Sequence, residues 1–337
     1  MGSLSSSVDL RVGFIPLLDA APLIVAEERG FFEKAGLRVS LNSEPGWATI
    51  YDKFLFGELD AAHGLVGQAL AMMDEAGPAA EQSPVACFLN RGGSYVVLSR
   101  VWTEKKVETA ADLLVARRAM ARGSQRLTFA AVNRVSSHAF LLEQWLKEGG
   151  LEKKDYQFVH LPPPLLARNL HFGHLDGFCA GEPWCAHSVA EGWGKVVASG
   201  EQLAPDYPDK VLLLSRELQR NRLADCRAFV RALMDAGQWC DEPKNHESLA
   251  RMLSDDRYIG LSENLLRAAL AGDSERGLET SGRLRFGGDA MQPIGRRLIW
   301  LAAQWKERKW SGGEHLAGLL DPQLFADASE LEPSSAP

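Results

Sequence analysis

The stretch from Leu161 to Trp184, LPPPLLARNLHFGHLDGFCAGEPW, restricts the fold of this chain more than any other segment. Three prolines precede leucines at helical spacing, and Leu175–Ala180 has the small and apolar residues of a short buried strand. Gly181–Trp184 then begins another helix, with Pro183 in a first turn that tolerates its missing N–H. The succession of helix, strand and helix predicts an α/β sheet, and ligands bind such sheets at the loops that follow the strands.

The same alternation of strand and helix continues along most of the chain. It begins with a strand at Asp9–Phe14 and a helix at Ala21–Lys34, and a second series starts after Arg100. This pattern predicts a mainly parallel sheet with helices on both faces. The chain from Glu217 onward has a helical pattern, and the Ser- and Pro-rich tail, residues 329–337, is predicted to be disordered.

The simplest architecture for this pattern consists of two α/β lobes joined by two crossings of the chain. The crossings are predicted near Tyr95–Ser99 and near Lys210–Ser215, where apolar runs occur. Lobe one would then hold residues 9–95 and 215–325, and lobe two would hold residues 99–210.

The composition argues against several classes of partner. The chain has 337 residues, with 37 Lys and Arg against 44 Asp and Glu, and a formal net charge of −7. An acidic protein has no overall electrostatic attraction for nucleic acid or anionic lipid, so we expect no direct binding of nucleic acid and no membrane association. The sequence contains no run of about 18 apolar residues, the length that a spanning helix needs.

Cysteine usage and the N-terminus both bear on the cellular compartment. The five cysteines are an odd number without paired spacing, which favours reduced, buried thiols over an exported disulfide framework. The residues before the first strand show no basic region, no apolar region and no lipobox cysteine. Either an export signal lies outside this sequence or the protein is cytoplasmic, and the cysteines favour the cytoplasmic alternative.

Two side chains near predicted helix starts are candidates for binding an anion. Trp47 precedes a helix that starts near Thr49, and its indole N–H would donate to an oxyanion while its ring excludes water. His138 follows the cap candidates Ser136 and Ser137, at a helix start whose free N–H groups already favour an anion. The alternatives are a packed tryptophan and a surface histidine.

Two further candidates lie beside the predicted crossings. Lys210 precedes the second crossing, where its charge would offset that of a trapped anion, although a solvated lysine in a charged turn is the alternative. Gly93 precedes the first crossing and would let the backbone approach a ligand, while Ser94 or Tyr95 would add a hydroxyl. The same residues also suit an ordinary loop.

The sequence predicts no catalytic, metal or cofactor site. Its eight histidines form no HExxH pattern, and the pair His171 and His174 lies at a predicted helix end, far from any pair of carboxylates. Neither GxSxG, nor a Walker loop, nor GxGxxG occurs. A binding protein is therefore favoured over an enzyme.

Several motifs resemble the nitrate- and bicarbonate-binding branch of the type II periplasmic solute-binding proteins. The resemblance is most specific at the three prolines and the Gly-Glu-Pro-Trp of Leu161–Trp184. It extends to four other segments, Arg11–Leu17, Glu44–Thr49, Ser136–His138 and Tyr207–Val211. The resemblance implies the two-lobed fold of that class, with two hinge crossings and a helical C-terminal segment.

The resemblance also implies a set of ligand-binding residues. In the relatives that bind nitrate, the anion is contacted by the equivalents of Trp47, Gly93, His138 and Lys210. This chain departs from the family in the glycine loop, where Ser94 and Tyr95 stand in place of the usual glutamine. The choice among nitrate, nitrite and bicarbonate therefore stays open. Glu182 is interpreted as a helix-start residue, with a role in a bicarbonate and metal variant as the alternative.

Within that branch, the chain most resembles the cytoplasmic nitrate/nitrite sensor of assimilation operons. This resemblance implies that the ligand-free sensor holds an RNA-binding antiterminator of the ANTAR type, and that nitrate releases it, without any contact between the sensor and RNA. The alternative is a solute-binding component of an ABC transporter for nitrate, bicarbonate or a related small solute. The expected partner surface is the C-terminal segment with Trp300, Trp305 and Trp310, although core packing explains these residues equally well.

Overall fold

Two five-stranded sheets organise the residues that the computed structural model describes, which are 9–76, 84–120, 126–272 and 283–333. The strands are β1 Leu10–Phe14, β2 Val39–Ser43, β3 Ala61–Leu65, β4 Val85–Phe88, β5 Ser94–Ser99, β6 Leu127–Ala131, β7 Tyr156–His160, β8 Gly177–Gly181, β9 Gly194–Ser199 and β10 Lys210–Leu214. The α-helices are α1 Ala21–Glu28, α2 Phe31–Lys34, α3 Trp47–Leu55, α4 Val66–Ala76, α5 Arg100–Thr103, α6 Ala110–Ala119, α7 Ser137–Glu148, α8 Pro163–His171, α9 Trp184–Ala190, α10 Gly200–Leu203, α11 Arg216–Asn221, α12 Leu223–Asp241, α13 His246–Leu253, α14 Glu263–Ala271, α15 Leu298–Arg308 and α16 Pro322–Ser329.

The two sheets have the same plan, and we name the lobes after them. Lobe one has the strand order β2-β1-β3-β10-β4, and lobe two has the order β7-β6-β8-β5-β9. In each sheet the strands on one side are parallel, whereas β10 and β5 run antiparallel to both of their neighbours. The predicted two-lobed α/β fold is confirmed, with mixed sheets in place of mainly parallel ones.

The segments predicted to cross between the lobes are central strands instead. Ser94–Ser99 is β5, which pairs with β8 and β9, and Lys210–Leu214 is β10, which pairs with β3 and β4. Their uninterrupted apolar runs are typical of strands that are buried on both faces, which is why these runs do not mark hinges. The chain passes between the sheets in the preceding residues, 89–93 and 204–209.

The C-terminal helices pack on both lobes. Helix α12 packs against α1 of lobe one, whereas α15 reaches α7 of lobe two. There, the rings of Trp300, Trp305 and Trp310 surround Phe140 with centroid distances of 6.0, 6.2 and 5.9 Å. These contacts favour the packing alternative for the three tryptophans, of which Trp300 and Trp310 are only partly buried, and the partner surface stays a prediction.

Three further predictions concern the cysteines, membrane-spanning helices and the C-terminal tail. All five cysteines are buried and free, as predicted. Within the described ranges, no helix has both the length and the apolar character needed to span a membrane. Ser329, placed in the predicted disordered tail, is the last residue of α16, and residues 334–337 of that tail lie outside the described residues.

Candidate functional site

Trp47 lies at the start of α3, beside His63 of β3 and Lys210 of β10 in the same lobe. Gly46 precedes the helix in an extended conformation, and Trp47 is its first residue, with only 2% of its surface exposed. The indole stands edge-on to the His63 ring at 5.0 Å, and the Lys210 ammonium lies 5.7 Å from the indole centre. The indole Nε1 has no hydrogen-bond partner, so a buried donor is available at this point.

His138 occupies the second position of α7 and is completely buried. Ser136 caps the helix as predicted, because its hydroxyl accepts the N–H of Ala139. The His138 Nε2 lies 3.1 Å from the Ser94 hydroxyl and 3.4 Å from the Lys210 ammonium. The alternative of a surface histidine is therefore wrong.

The hydroxyls of Ser136 and Ser137 have structural partners. Ser136 donates to the Asn133 carbonyl at 2.6 Å, and Ser137 donates to the carbonyl of Pro208 in the link between the lobes. Both residues hold the start of α7 in place beneath His138. Contact with a ligand through these two hydroxyls stays a prediction.

Lys210 begins β10 and has no exposed surface, which rules out a solvated lysine. Its ammonium lies 2.7 Å from the Asp209 carboxylate and 3.2 Å from the Asp19 carboxylate. The cation is thus already flanked by two anions. The sequence predicted that the charge of Lys210 would offset that of a bound anion. In the structure, two carboxylates of the protein already pair with this charge.

Asp19 and His63 belong to the site although sequence reasoning missed both. Asp19 lies in the 3₁₀ turn after β1, and His63 lies in the middle of β3. Their nearest atoms are 3.1 Å apart without forming an aligned hydrogen bond. Each residue is a lone polar group in an apolar run of sequence, and that pattern is a usable signal for a buried functional side chain.

The glycine loop contributes one side chain to the polar cluster. Ser94 donates to Asp209 at 3.0 Å. Gly93 has a φ of +81°, and a Cβ at this position would lie 2.6 Å from the Leu284 side chain. Packing against Leu284 and the left-handed backbone explain this glycine without a ligand, and Tyr95 is buried in the apolar cluster that joins the lobes.

Electrostatics within the cluster keep its acids charged. Burial opposes the charge of Asp209, but Lys210 and His138 outweigh burial and hold the pKa of Asp209 well below its usual range. In the same way burial is outweighed at Asp19 by Lys210 and His63, and the pKa of Asp19 is lowered. Burial and then Lys210 lower the pKa of His138, so this imidazole is neutral at neutral pH.

Six buried polar atoms of this region have no hydrogen-bond partner among the described residues, namely Trp47 Nε1, His63 Nε2, His138 Nδ1, Tyr207 Oη, Asp19 Oδ1 and Asp209 Oδ1. Unpaired buried donors and acceptors are rare because each costs roughly 1–3 kcal/mol. Their concentration in one region, contributed by both lobes, makes this region the candidate site for a small polar ligand.

The lobes are in close contact around this site. A Cβ on Gly67 of α4 would lie 2.0 Å from the carbonyl oxygen of Val135, which precedes α7 in lobe two. Arg297 ties the two links together, since its guanidinium donates to the carbonyls of Asn90 and Tyr207. In this arrangement of the lobes, the side chains of Trp47, His138 and Lys210 are closed off from solvent.

The fold is that of the two-lobed periplasmic solute-binding proteins. The crystal structure of the periplasmic nitrate-binding protein NrtA from Synechocystis PCC 6803 superposes with a TM-score of 0.85 at 24% identity, covering 96% of this chain and 89% of that one. At this identity the likeness establishes the fold. Within that class, the chain belongs to the NMT1-like family, which it matches over residues 5–254.

Curated relatives are named for the binding and import of small anions. The chain is 33% identical to the nitrate import ATP-binding protein NrtC of Synechocystis over 80% of its length and 40% of that protein. It is also 33% identical to the bicarbonate transport ATP-binding protein CmpC of Synechococcus elongatus, over 77% of the chain and 39% of the relative. The chain thus spans about two fifths of these relatives.

A third relative matches over more of its own length. The nitrate/nitrite binding protein NrtA of Nostoc is 27% identical, over 95% of this chain and 79% of that protein. These names describe binding and transport components, which agrees with the prediction that the chain is not an enzyme.

Proposed function

We propose that this protein binds a small planar oxyanion, with nitrate and nitrite as the first candidates and bicarbonate as the third, between its closed lobes. The observation that supports this most is the unpaired Trp47 indole N–H, which the fold places beside Lys210 and His138. Three donors from three distant segments converge on one buried point. Donors in a water-excluded site are the means by which proteins hold oxyanions.

We further propose that the protein serves as the solute-binding component of an importer. The nitrate and bicarbonate import proteins among the relatives support this role more than a regulatory one. The cytoplasmic sensor with an ANTAR-type antiterminator, and the cytoplasmic location that the cysteines favour, stay predictions from the sequence.

Isothermal titration calorimetry tests the ligand class. We expect one site for nitrate or nitrite, and no heat of binding with sulfate, whose tetrahedral shape and double charge do not suit a site with two carboxylates. Binding of sulfate but of none of the three planar anions would overturn the proposal.

A co-purification experiment separates the two roles. The protein is mixed with membranes that carry a candidate permease and ATP-binding protein, or with a candidate ANTAR antiterminator, each with and without nitrate. Anion-dependent association with the membrane components supports the importer. A stable complex with the antiterminator that nitrate dissociates would replace the importer by the sensor.

A further inference from the structure

The charges around Lys210 are unusual for a site that receives an anion. Two carboxylates, Asp19 at 3.2 Å and Asp209 at 2.7 Å, flank one ammonium, and all three side chains are buried. Arg297 also interacts electrostatically with Asp209, but its guanidinium pairs with Asp206 at 3.4 Å. The inner group therefore carries a formal charge of −1 when its histidines are neutral.

A hydrogen bond constrains one of the two histidines that face these acids, and burial beside a cation constrains the other. The Nδ1 of His63 accepts the backbone N–H of Ile15 at 3.3 Å, so this nitrogen carries no proton. His138 is buried beside the Lys210 ammonium, which disfavours a second positive charge. Ser94 and Trp47 do not titrate in this range, and burial raises the pKa values of the two other neighbours, Tyr207 and the Cys179 thiol.

An incoming anion consequently meets a buried cluster that is already negative. Nitrate has only acceptor oxygens, and its entry would bring the local charge to −2 without solvent to screen it. One proton from solvent, held on His138 or Asp19, would return the cluster to −1. Bicarbonate brings the same charge, but it carries a hydroxyl whose proton can be shared with the Oδ1 of Asp19 or of Asp209, neither of which has an aligned hydrogen bond, and this donor offsets the repulsion that nitrate leaves uncompensated.

We infer that Asp19 is a specificity-determining residue, whose carboxylate makes an anion without a hydrogen-bond donor enter together with one proton, whereas bicarbonate brings its own. This inference rests on the proposed function. Nitrate binding is then a reaction of the site with one nitrate and one proton from solvent. Bicarbonate binding is a reaction of the site with one bicarbonate and no proton from solvent.

Calorimetry in buffers of different ionisation enthalpy counts the protons directly. The wild-type protein is titrated with nitrate and with bicarbonate in paired buffers from about pH 7 to about pH 8.5. We expect close to one proton taken up for each nitrate and close to none for bicarbonate. The nitrate Kd then rises about tenfold for each pH unit, as linkage requires for one coupled proton.

The variant Asp19→Asn removes one negative charge from the site at nearly constant shape. We expect the number of protons taken up on nitrate binding to fall to near zero in this variant. Its nitrate Kd should then no longer depend on pH. Asp60→Asn is the matched control, since Asp60 pairs with Arg11 outside the site and its removal leaves the proton count unchanged. A thermal melt of each variant verifies folding.

The outcomes separate the inference from the function on which it rests. Nitrate binding without proton uptake in the wild-type protein would overturn the inference and leave the proposed function intact. An unchanged proton count in folded Asp19→Asn would also overturn it. Absence of binding for nitrate, nitrite and bicarbonate overturns both. If Asp19→Asn does not fold, the proton count of the wild-type protein still decides.

Discussion

The ammonium of Lys210 lies 3.2 Å from the carboxylate of Asp19, which the turn after β1 brings to the start of β10. Strand β3 separates β1 from β10 in the sheet, and its His63 faces Asp19. Three strands thus contribute one buried charge cluster beside the links between the lobes. The candidate site therefore lies at the place where the two lobes are joined.

Replacing Lys210 by methionine should destabilise the protein strongly. Methionine keeps an unbranched apolar stem but leaves Asp19 and Asp209 buried without their shared cation. Removing one partner of a buried ion pair costs about 3–5 kcal/mol. Urea unfolding measures this loss, with Lys195→Met as a control because Lys195 is half exposed. Adding Asp19→Asn and Asp209→Asn to Lys210→Met should restore part of the stability. If Lys210→Met and Lys195→Met lose the same small amount of stability, the prediction is wrong.

Replacing Trp47 by phenylalanine should weaken anion binding beyond its effect on packing. The substitution removes a donor that has no partner in the protein, and a hydrogen bond to a charged group contributes about 1.5–3 kcal/mol. We expect the nitrate Kd to rise roughly ten- to a hundredfold. Trp145→Phe, in the lobe-two core, makes a comparable cavity and should leave the Kd unchanged. Equal affinities of the two variants would return Trp47 to a purely packing role.

Gly67→Ala should prevent full closure of the lobes. Its new methyl would overlap the Val135 carbonyl, because the two backbones approach too closely for any side chain. We expect nitrate binding weaker by about tenfold or more, since the competent closed state becomes rare. Small-angle X-ray scattering with saturating nitrate should show a larger radius of gyration than for the wild type. Gly46→Ala is the control, because a Cβ at this position would lie 3.6 Å from the Pro162 side chain and should allow normal closure. Identical scattering of the two variants would contradict the prediction.

Stability should fall as the pH drops below about 6.5. Burial, and then Lys210, place the pKa of His138 below its ordinary value of 6.5. At a pH between the folded and the unfolded pKa of His138, the unfolded chain binds more protons than the folded one. Lowering the pH therefore increases the fraction of unfolded protein. Urea unfolding at several pH values measures the slope, and His138→Gln should reduce it. The slope should not vanish, because burial also lowers the pKa values of His160, His187 and His246. An unchanged slope in the variant would exclude His138 as a contributor.

Much of the architecture followed from local sequence. The alternation of apolar strands with amphipathic helices gave the two α/β lobes, and Ser136 at the start of α7 is a local cap that sequence alone identifies. Buried cysteines also followed from their apolar neighbours. These features depend on periodicity, turn chemistry and hydrophobicity, which act over a few residues.

Other features depended on contacts between distant segments. Local sequence identified Trp47, His138 and Lys210 as candidates, but their approach to one point is a result of strand order and lobe packing. The segment Ser94–Ser99 was predicted to cross between the lobes because an apolar run looks the same in a buried strand and in a buried crossing segment. Only the sheet pairing showed that it is an interior strand of the lobe-two sheet, between β8 and β9.

The charge of the site was decided by tertiary structure alone. In sequence, Lys210 follows an aspartate in what looks like a solvated turn, and nothing nearby indicates that Asp19 will face it. Folding removes all three groups from water, and in that environment a separation of about 3 Å decides which charges persist. The sequence determined which groups are present, and the fold determined that two acids share one cation, because electrostatic energy depends on distance and burial rather than on position along the chain.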